Sequence, residues 1–307
     1  EDREHLLTLL RAARSFLITT PSGRPAVIAG YPWFGSWGRD TLISLPGLCF
    51  STGRIADGIE ILTEIGRHER DGLLPNFFSA DGTPEAYNTV DSSLWYFWTV
   101  QQLGTRCGIV SPSDKALIRD RFWPVMKRIL RSFMDGTRFG IGMDARGLLQ
   151  AGDGQTALTW MDAAVGGIPV TPRHGYPVEI NALWYNALCF ASDLTAEFGD
   201  PPLFDGDFIP LLRRSFRETF WGHDASSCPH HDAASCPQNT PGDAASSPQG
   251  CLGDVFRDGV LDTAVRPNQI FAVSLPFSPL DPAEQAAVVQ TVRDQLLVPC
   301  GLRTLSP

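Results

Sequence analysis

The chain has 307 residues, of which 43% are hydrophobic and 19% charged, and its formal net charge is −9. That acidic balance argues against nucleic acid or an anionic membrane surface as the main partner, and it leaves a neutral sugar polymer open. No window approaches the ~18 consecutive apolar residues of a membrane span, the charged start EDREHLLTLLRAARSF reads as an amphipathic segment and not a signal peptide, and cysteines set in apolar runs lead to the expectation of a reducing, cytoplasmic location.

Residues 1–19 read as a helix, with Leu6, Leu7, Leu9, Leu10, Ala13, Phe16 and Leu17 recurring at three-to-four spacing. The stretch 29–48, AGYPWFGSWGRDTLISLPGL, follows. Glycines and Pro32 break regular structure through its first half, and an apolar helix over 41–51 completes it. An amphipathic helix over 54–70 is stopped by Asp71-Gly72. A Gly- and Pro-rich loop over 72–91 leads into an aromatic helix over 92–103. A further helix covers 113–134, and the Gly-rich segment 137–158 reads as a short β-hairpin or extended excursion. After a loop over 159–173 come helices at 177–198 and 207–220.

Composition changes abruptly over 223–250, where Ala, Ser, Asp, Pro, His, Cys, Gln and Gly dominate. Such a segment cannot bury a core, and the expectation is a low-complexity disordered insertion. A strand and turn over 251–262, helices at 266–275 and 281–297, and a closing loop at 301–307 complete the chain. Cys49, Cys107, Cys189 and Cys300 lie in or beside apolar runs and read as buried thiols. Cys228, Cys236 and Cys251, with His223, His230 and His231, invite a metal reading, but a Cys-x7-Cys spacing fits no common zinc pattern and no metal is expected. Helix following helix, with polar loops between pairs, predicts an all-α toroid of inner and outer helices.

Four segments carry candidate chemistry. In the first, Trp37 offers a flat face for a sugar ring, Arg39 a fork of donors, and Asp40 an acceptor for hydroxyls, at the junction of an aromatic turn and a helix. The alternative is an aromatic core turn with a structural Arg–Asp pair. In the second, YNTVDSSLW, Tyr87, Asn88, Asp91 and Trp95 gather at a helix entrance, where Asp91 could equally cap the helix. The third, TWMDAAVGGIPVTP, places Asp162 beside Trp160. A carboxyl desolvated against an indole has a raised pKa, which a general acid needs, although a turn or capping role is the simpler alternative. In the fourth, TPRHGYPVEINAL, Glu179 is a lone acid in an apolar helical run and calls for a partner, Arg39, Arg173 or a substrate hydroxyl.

These four segments, in this order, resemble the glucosidase domain of glycogen debranching enzymes, the amylo-α-1,6-glucosidase family. The resemblance runs from Ala29 to about Leu305 and includes the run Arg266-Pro267-Asn268-Gln269, for which a supporting role is expected. It implies an (α/α)6 toroid of the six-hairpin glycosidase kind with its site at one mouth, and hydrolysis of α-1,6-linked glucose at glycogen branch points with inversion. It also implies Asp162 as the acid, Arg39 and Asp40 gripping the terminal glucose, and Trp37, Tyr87, Asn88, Asp91, Trp95, Trp160, Arg173 and Glu179 around it. It implies no metal or organic cofactor, and a branched α-glucan as partner. An inverting enzyme holds two carboxyls ~6.5–9.5 Å apart. In this family the base lies beyond the segment GLRTLSP, so the expectation is a single incomplete toroid over 1–307, lacking its last helices and its base, with Glu179 a lesser substitute. Such an open ring would expose apolar faces at 1–19 and 281–297. The competing readings are an inactive or purely glucan-binding chain, or another toroid glycosidase of the glucoamylase or trehalase type.

Overall fold

Apolar side chains spaced three or four apart build this fold, and prolines decide where its helices change register. The computed structural model describes residues 2–106, 112–223 and 250–307. Most of the expected insertion at 223–250 lies outside the described residues, as do Cys107 and the cysteines and histidines between 228 and 236.

Helix α1 spans Asp2–Phe16, and none of its residues is buried. Leu6, Leu7, Leu9 and Leu10 are exposed along it. The chain then turns into an antiparallel pair, Leu17–Thr19 with Pro25–Val27, so the first helix is shorter than the pattern predicts. Helix α2 (Gly38–Leu45) is followed by a π-helical turn at Pro46–Phe50. Helix α3 (Ile55–Arg67) buries Ile61, Leu62 and Ile65. Helix α4 (Asp91–Arg106) packs on both α2 and the long helix α7 (Val178–Phe198).

The helix expected over 113–134 is three pieces: α5 (Pro112–Leu117), a π turn at Ile118–Phe122, and α6 (Trp123–Asp135). The reason is Pro124, which has no N–H to give to the preceding turn. The ladder skips a residue instead, and Trp123 N–H reaches Ile118 O. The helix expected over 41–51 likewise changes register, at Pro46, after which Ser51 N–H donates to Pro46 O at 2.9 Å.

Helix α7 is the axis of the core. Every residue from Val178 to Cys189 is buried, which accounts for its nearly continuous apolar sequence. It ends at Gly199, whose φ of 70° closes the helix in the left-handed conformation. Helix α8 (Phe208–Phe220) packs against it, as does α9 (Phe271–Ser274), which is shorter than expected because Pro267–Ile270 forms a 3-10 turn. Helix α10 (Pro282–Leu296) opens on a capping box, with Asp281 accepting from Glu284 N–H and Glu284 accepting from Asp281 N–H. It buries Glu284, Val288, Val292 and Leu296, so only part of its apolar surface faces solvent.

Helices carry the core, as the pattern predicts, but small antiparallel sheets occupy the loops more fully than an all-α reading allows. Among the described residues, Ser36–Trp37 pairs with Phe77–Phe78, and Phe77–Phe78 with Pro84–Ala86. Gly142–Met143 pairs with Leu149–Gln150, inside the predicted excursion. Ala164–Val165 pairs with Ile168–Pro169. Tyr176–Pro177 pairs with Val255–Arg257, which pairs in turn with Val260–Asp262. The closing loop is a hairpin, Leu297–Val298 with Gly301–Leu302. Cys49 and Cys189 are buried free thiols. Cys300 is exposed because it sits in that closing hairpin turn, and Cys251 is buried beside Val292 and Leu296. Among the described residues, no helix is long and apolar enough to cross a membrane.

Candidate active site

Residues 29–38 fold as a tight aromatic turn held by backbone bonds. Phe34 N–H donates to Gly30 O at 3.0 Å, Ala29 N–H to Gly35 O at 2.9 Å, and Gly38 N–H to Asn76 O at 3.0 Å. A Cβ at Gly38 would lie 2.0 Å from Pro75 O, so this approach admits only glycine. Helix α2 starts at Gly38 and carries Arg39 and Asp40 in its first turn.

The Arg39 guanidinium is buried and gathers three segments distant in sequence. Its Nε donates to Asp91 Oδ2 at 2.7 Å, Nη1 to Asp162 Oδ2 at 3.0 Å, and Nη2 to Thr89 Oγ1 at 3.4 Å. Burial works against its charge, but Asp91 and Asp162 outweigh that and raise its pKa. Asp91 does not cap α4. Thr89 does so, with its Oγ1 accepting from Ser92 N–H at 3.3 Å and donating to Asp91 Oδ1 at 2.5 Å.

A second buried cluster forms around Arg173. Arg173 grips both carboxylate oxygens of Glu179, Nη2 to Oε2 at 2.7 Å and Nη1 to Oε1. It also grips both oxygens of Asp254, Nη2 to Oδ1 at 2.8 Å and Nε to Oδ2 at 3.1 Å. Arg266 Nε lies 3.2 Å from Asp254 Oδ2. Burial raises the Asp254 carboxyl, with Arg173 and Arg266 opposing, and burial works against the Arg173 charge while Glu179 and Asp254 raise its pKa overall. Arg173 Nη1 further donates to Thr159 Oγ1 at 3.3 Å. Asn268 Nδ2 donates to Asp254 Oδ1 at 3.4 Å, and Trp160 Nε1 donates to Asn268 Oδ1 at 3.2 Å.

Between the clusters lies a cavity of about 600 Å³, within the ordinary range for a small-molecule site. Asp40, Asp91, Asp162 and Glu179 supply its carboxyls, with Arg39 and Asn268 as further polar groups. Trp37, Trp95, Trp160, Phe34 and Phe271 supply aromatic faces, and Ile43 and Leu183 aliphatic ones. Trp95 stands edge-on to Phe271 with ring centroids 5.2 Å apart.

Eight of the sequence-derived candidates thus meet around one cavity: Trp37, Arg39, Asp40, Asp91, Trp95, Trp160, Asp162 and Glu179. Three do not line it. Tyr87 faces away, donating to His68 O at 2.8 Å beneath the Arg70 guanidinium. Asn88, its neighbour at the turn before α4, is not on the lining either. Arg173 sits behind Glu179. The pairing of Asp162 also departs from expectation. Its side chain is 36% exposed and held by Arg39, and is not pressed dry against an indole. The desolvation falls on Asp40, whose pKa burial raises against the lowering effect of Arg39. Sequence reasoning gave no role to Asp254 or Thr89. Asp254 carries the same signal that marked Glu179, a lone acid beside apolar residues, here Leu252, Val255 and Phe256.

The family model described as amylo-alpha-1,6-glucosidase matches residues 11–307. The glycogen debranching enzyme of Saccharomyces cerevisiae is 27% identical over 354 aligned positions, covering 92% of this chain. The chain spans 22% of the length of that relative. With the family model matched over nearly all of its residues, the chain belongs to the amylo-alpha-1,6-glucosidase family.

Proposed function

We propose that this chain hydrolyses α-1,6-linked glucose on a branched, glycogen-like α-glucan, with inversion at the anomeric carbon. Glycogen catabolism in the cytoplasm is the setting this reading implies, and a helical toroid without cofactor is its architecture. Asp162 protonates the glycosidic oxygen as the C1–O bond breaks, and the water that adds to C1 from the opposite face passes its proton to solvent, which later reprotonates Asp162.

The observation that carries the reading is the Arg39 bridge. It holds Asp162 on the wall of a sugar-sized, aromatic-faced cavity through Oδ2 and leaves Oδ1 for the proton. Arg39 also serves Asp91, so one guanidinium orients both carboxyls on the cavity wall. Asp40, unpaired in any salt bridge among the described residues, is the hydroxyl acceptor for the terminal glucose.

Asp91 and Glu179 are both locked by arginines, which makes either unsuited to activate water. That same observation favours a second reading, glucan binding without hydrolysis. Glucose release from 6-O-α-glucosyl-cyclodextrin separates the two. Release that disappears in Asp162→Asn supports hydrolysis, and binding of the cyclodextrin without release supports the second reading.

A further inference from the structure

Trp160 faces the cavity, is 39% exposed, and is tethered at its nitrogen. The tether has chemical direction. An indole N–H can only donate and an ionised carboxylate can only accept, so a group bridging the two must accept on one side and donate on the other. The Asn268 amide does both: its Oδ1 takes the Trp160 proton and its Nδ2 gives one to Asp254 Oδ1. Asn268 and Asp254 are both almost wholly buried, so their positions are set by the interior and not by solvent.

Asp254 in turn cannot drift. Arg173 holds both of its oxygens, and Arg173 is itself fixed by Glu179. The same guanidinium binds Thr159 Oγ1, the neighbour of Trp160. The loop that carries Asp162 is therefore tied at two successive residues, Thr159 and Trp160, to one buried charge cluster.

We infer that Asp254 is a positioning residue for the glucose site, setting the plane of the Trp160 indole through Asn268 so that its face meets a sugar ring in the cavity. The inference rests on the sugar reading of the cavity for its ligand, but the tether itself does not. Asp254 immediately precedes the strand Val255–Arg257, remote in sequence from the loop it orients. Preorganising one wall in this way spares the bound state the cost of fixing the indole plane.

Four variants of the full chain test it: Asp254→Asn, Asn268→Leu, Trp160→Phe, and the double variant Asn268→Leu with Trp160→Phe. Thermal melts establish that each folds, and Asn268→Leu decides the matter if Asp254→Asn does not. Heteronuclear NMR reads the Trp160 indole N–H, identified as the resonance that Trp160→Phe deletes. Titration with the glucose-shaped imino sugar deoxynojirimycin reads the site without requiring turnover. The expected result is a shifted, faster-exchanging indole resonance in Asn268→Leu and Asp254→Asn, with affinity reduced about tenfold, the scale of one lost hydrogen bond. The double variant then binds no more weakly than Trp160→Phe alone.

An unmoved indole resonance overturns the tether. Additive losses in the double variant overturn the route through Trp160 and make Asn268 a direct ligand. If the parent chain does not bind the imino sugar while the resonance still shifts, the sugar reading falls and the tether stands as a structural bond alone, which removes Asp254 as a positioning residue for glucose.

Discussion

Arg39 and Asp162 are separated by 123 positions in the sequence and meet through an Nη1–Oδ2 hydrogen bond of 3.0 Å. The first belongs to a helix start fixed by a glycine-dependent turn, the second to a loop fixed by Arg173 and Asn268. The bond therefore registers two independently anchored pieces of the site against each other.

Arg39→Lys tests that registration. A single ammonium cannot reproduce the fork that reaches Asp91, Asp162 and Thr89 together. Glucose release should fall by about a hundredfold or more, the usual consequence of a misplaced catalytic group. A release rate within a few fold of the parent would show that Asp162 does not depend on Arg39 for its position.

Glu179→Gln addresses the second cluster. Removing one charge from the buried arginine fork should destabilise the chain by roughly 3–5 kcal/mol, measured by urea melts. Arg173 retains Asp254, so the variant should still fold. A stability loss near zero would mean that Glu179 is not the structural counter-charge of Arg173.

Asp40 gives a pH prediction. Burial raises its folded-state pKa above the ordinary aspartate value. Between those two values the folded state binds more protons than the unfolded state, so the group's contribution to stability falls as pH rises through that window. Asp40→Asn should therefore melt at a higher temperature than the parent at neutral pH, with the gap closing as pH falls to about 3.9. A gap that widens on acidification would contradict the burial account.

Gly38→Ala tests the turn. The added methyl carbon would sit only 2.0 Å from Pro75 O, so the backbone must move to admit it. The expected cost is at least about 1–3 kcal/mol, with reduced glucose release because Trp37, Arg39 and Asp40 move with it. Unchanged stability would show that the turn tolerates the shift.

Much of this site is legible in the residues alone. Trp37, Arg39 and Asp40 announce themselves as polar and aromatic groups packed against a helix start, and Glu179 as an acid inside an apolar run. What pattern cannot supply is the pairing across distance. Nothing local tells that Arg39 serves Asp91 and Asp162 while Arg173 serves Glu179 and Asp254. Tyr87 misleads for the same reason, since aromatic character does not say which side of the α4 entrance a ring will face, and here it turns to His68 and Arg70. Helix positions follow the apolar periodicity, and depart from it in the π turns at Pro46–Phe50 and before Pro124, where a missing N–H re-registers the ladder at the second. The short strand pairs are largely illegible because two or three residues are too few for an alternating pattern to form.

Asp162 is proposed to deliver the proton that frees glucose from an α-1,6 branch. The most direct measurement is glucose release from 6-O-α-glucosyl-cyclodextrin by the parent chain and by Asp162→Asn, with melting temperatures of both. At 36% exposure the Asp162 side chain should be replaceable with little loss of stability. The account predicts release by the parent, loss of that release in Asp162→Asn by at least about a hundredfold, and closely similar melting temperatures. Equal release from both proteins would contradict it.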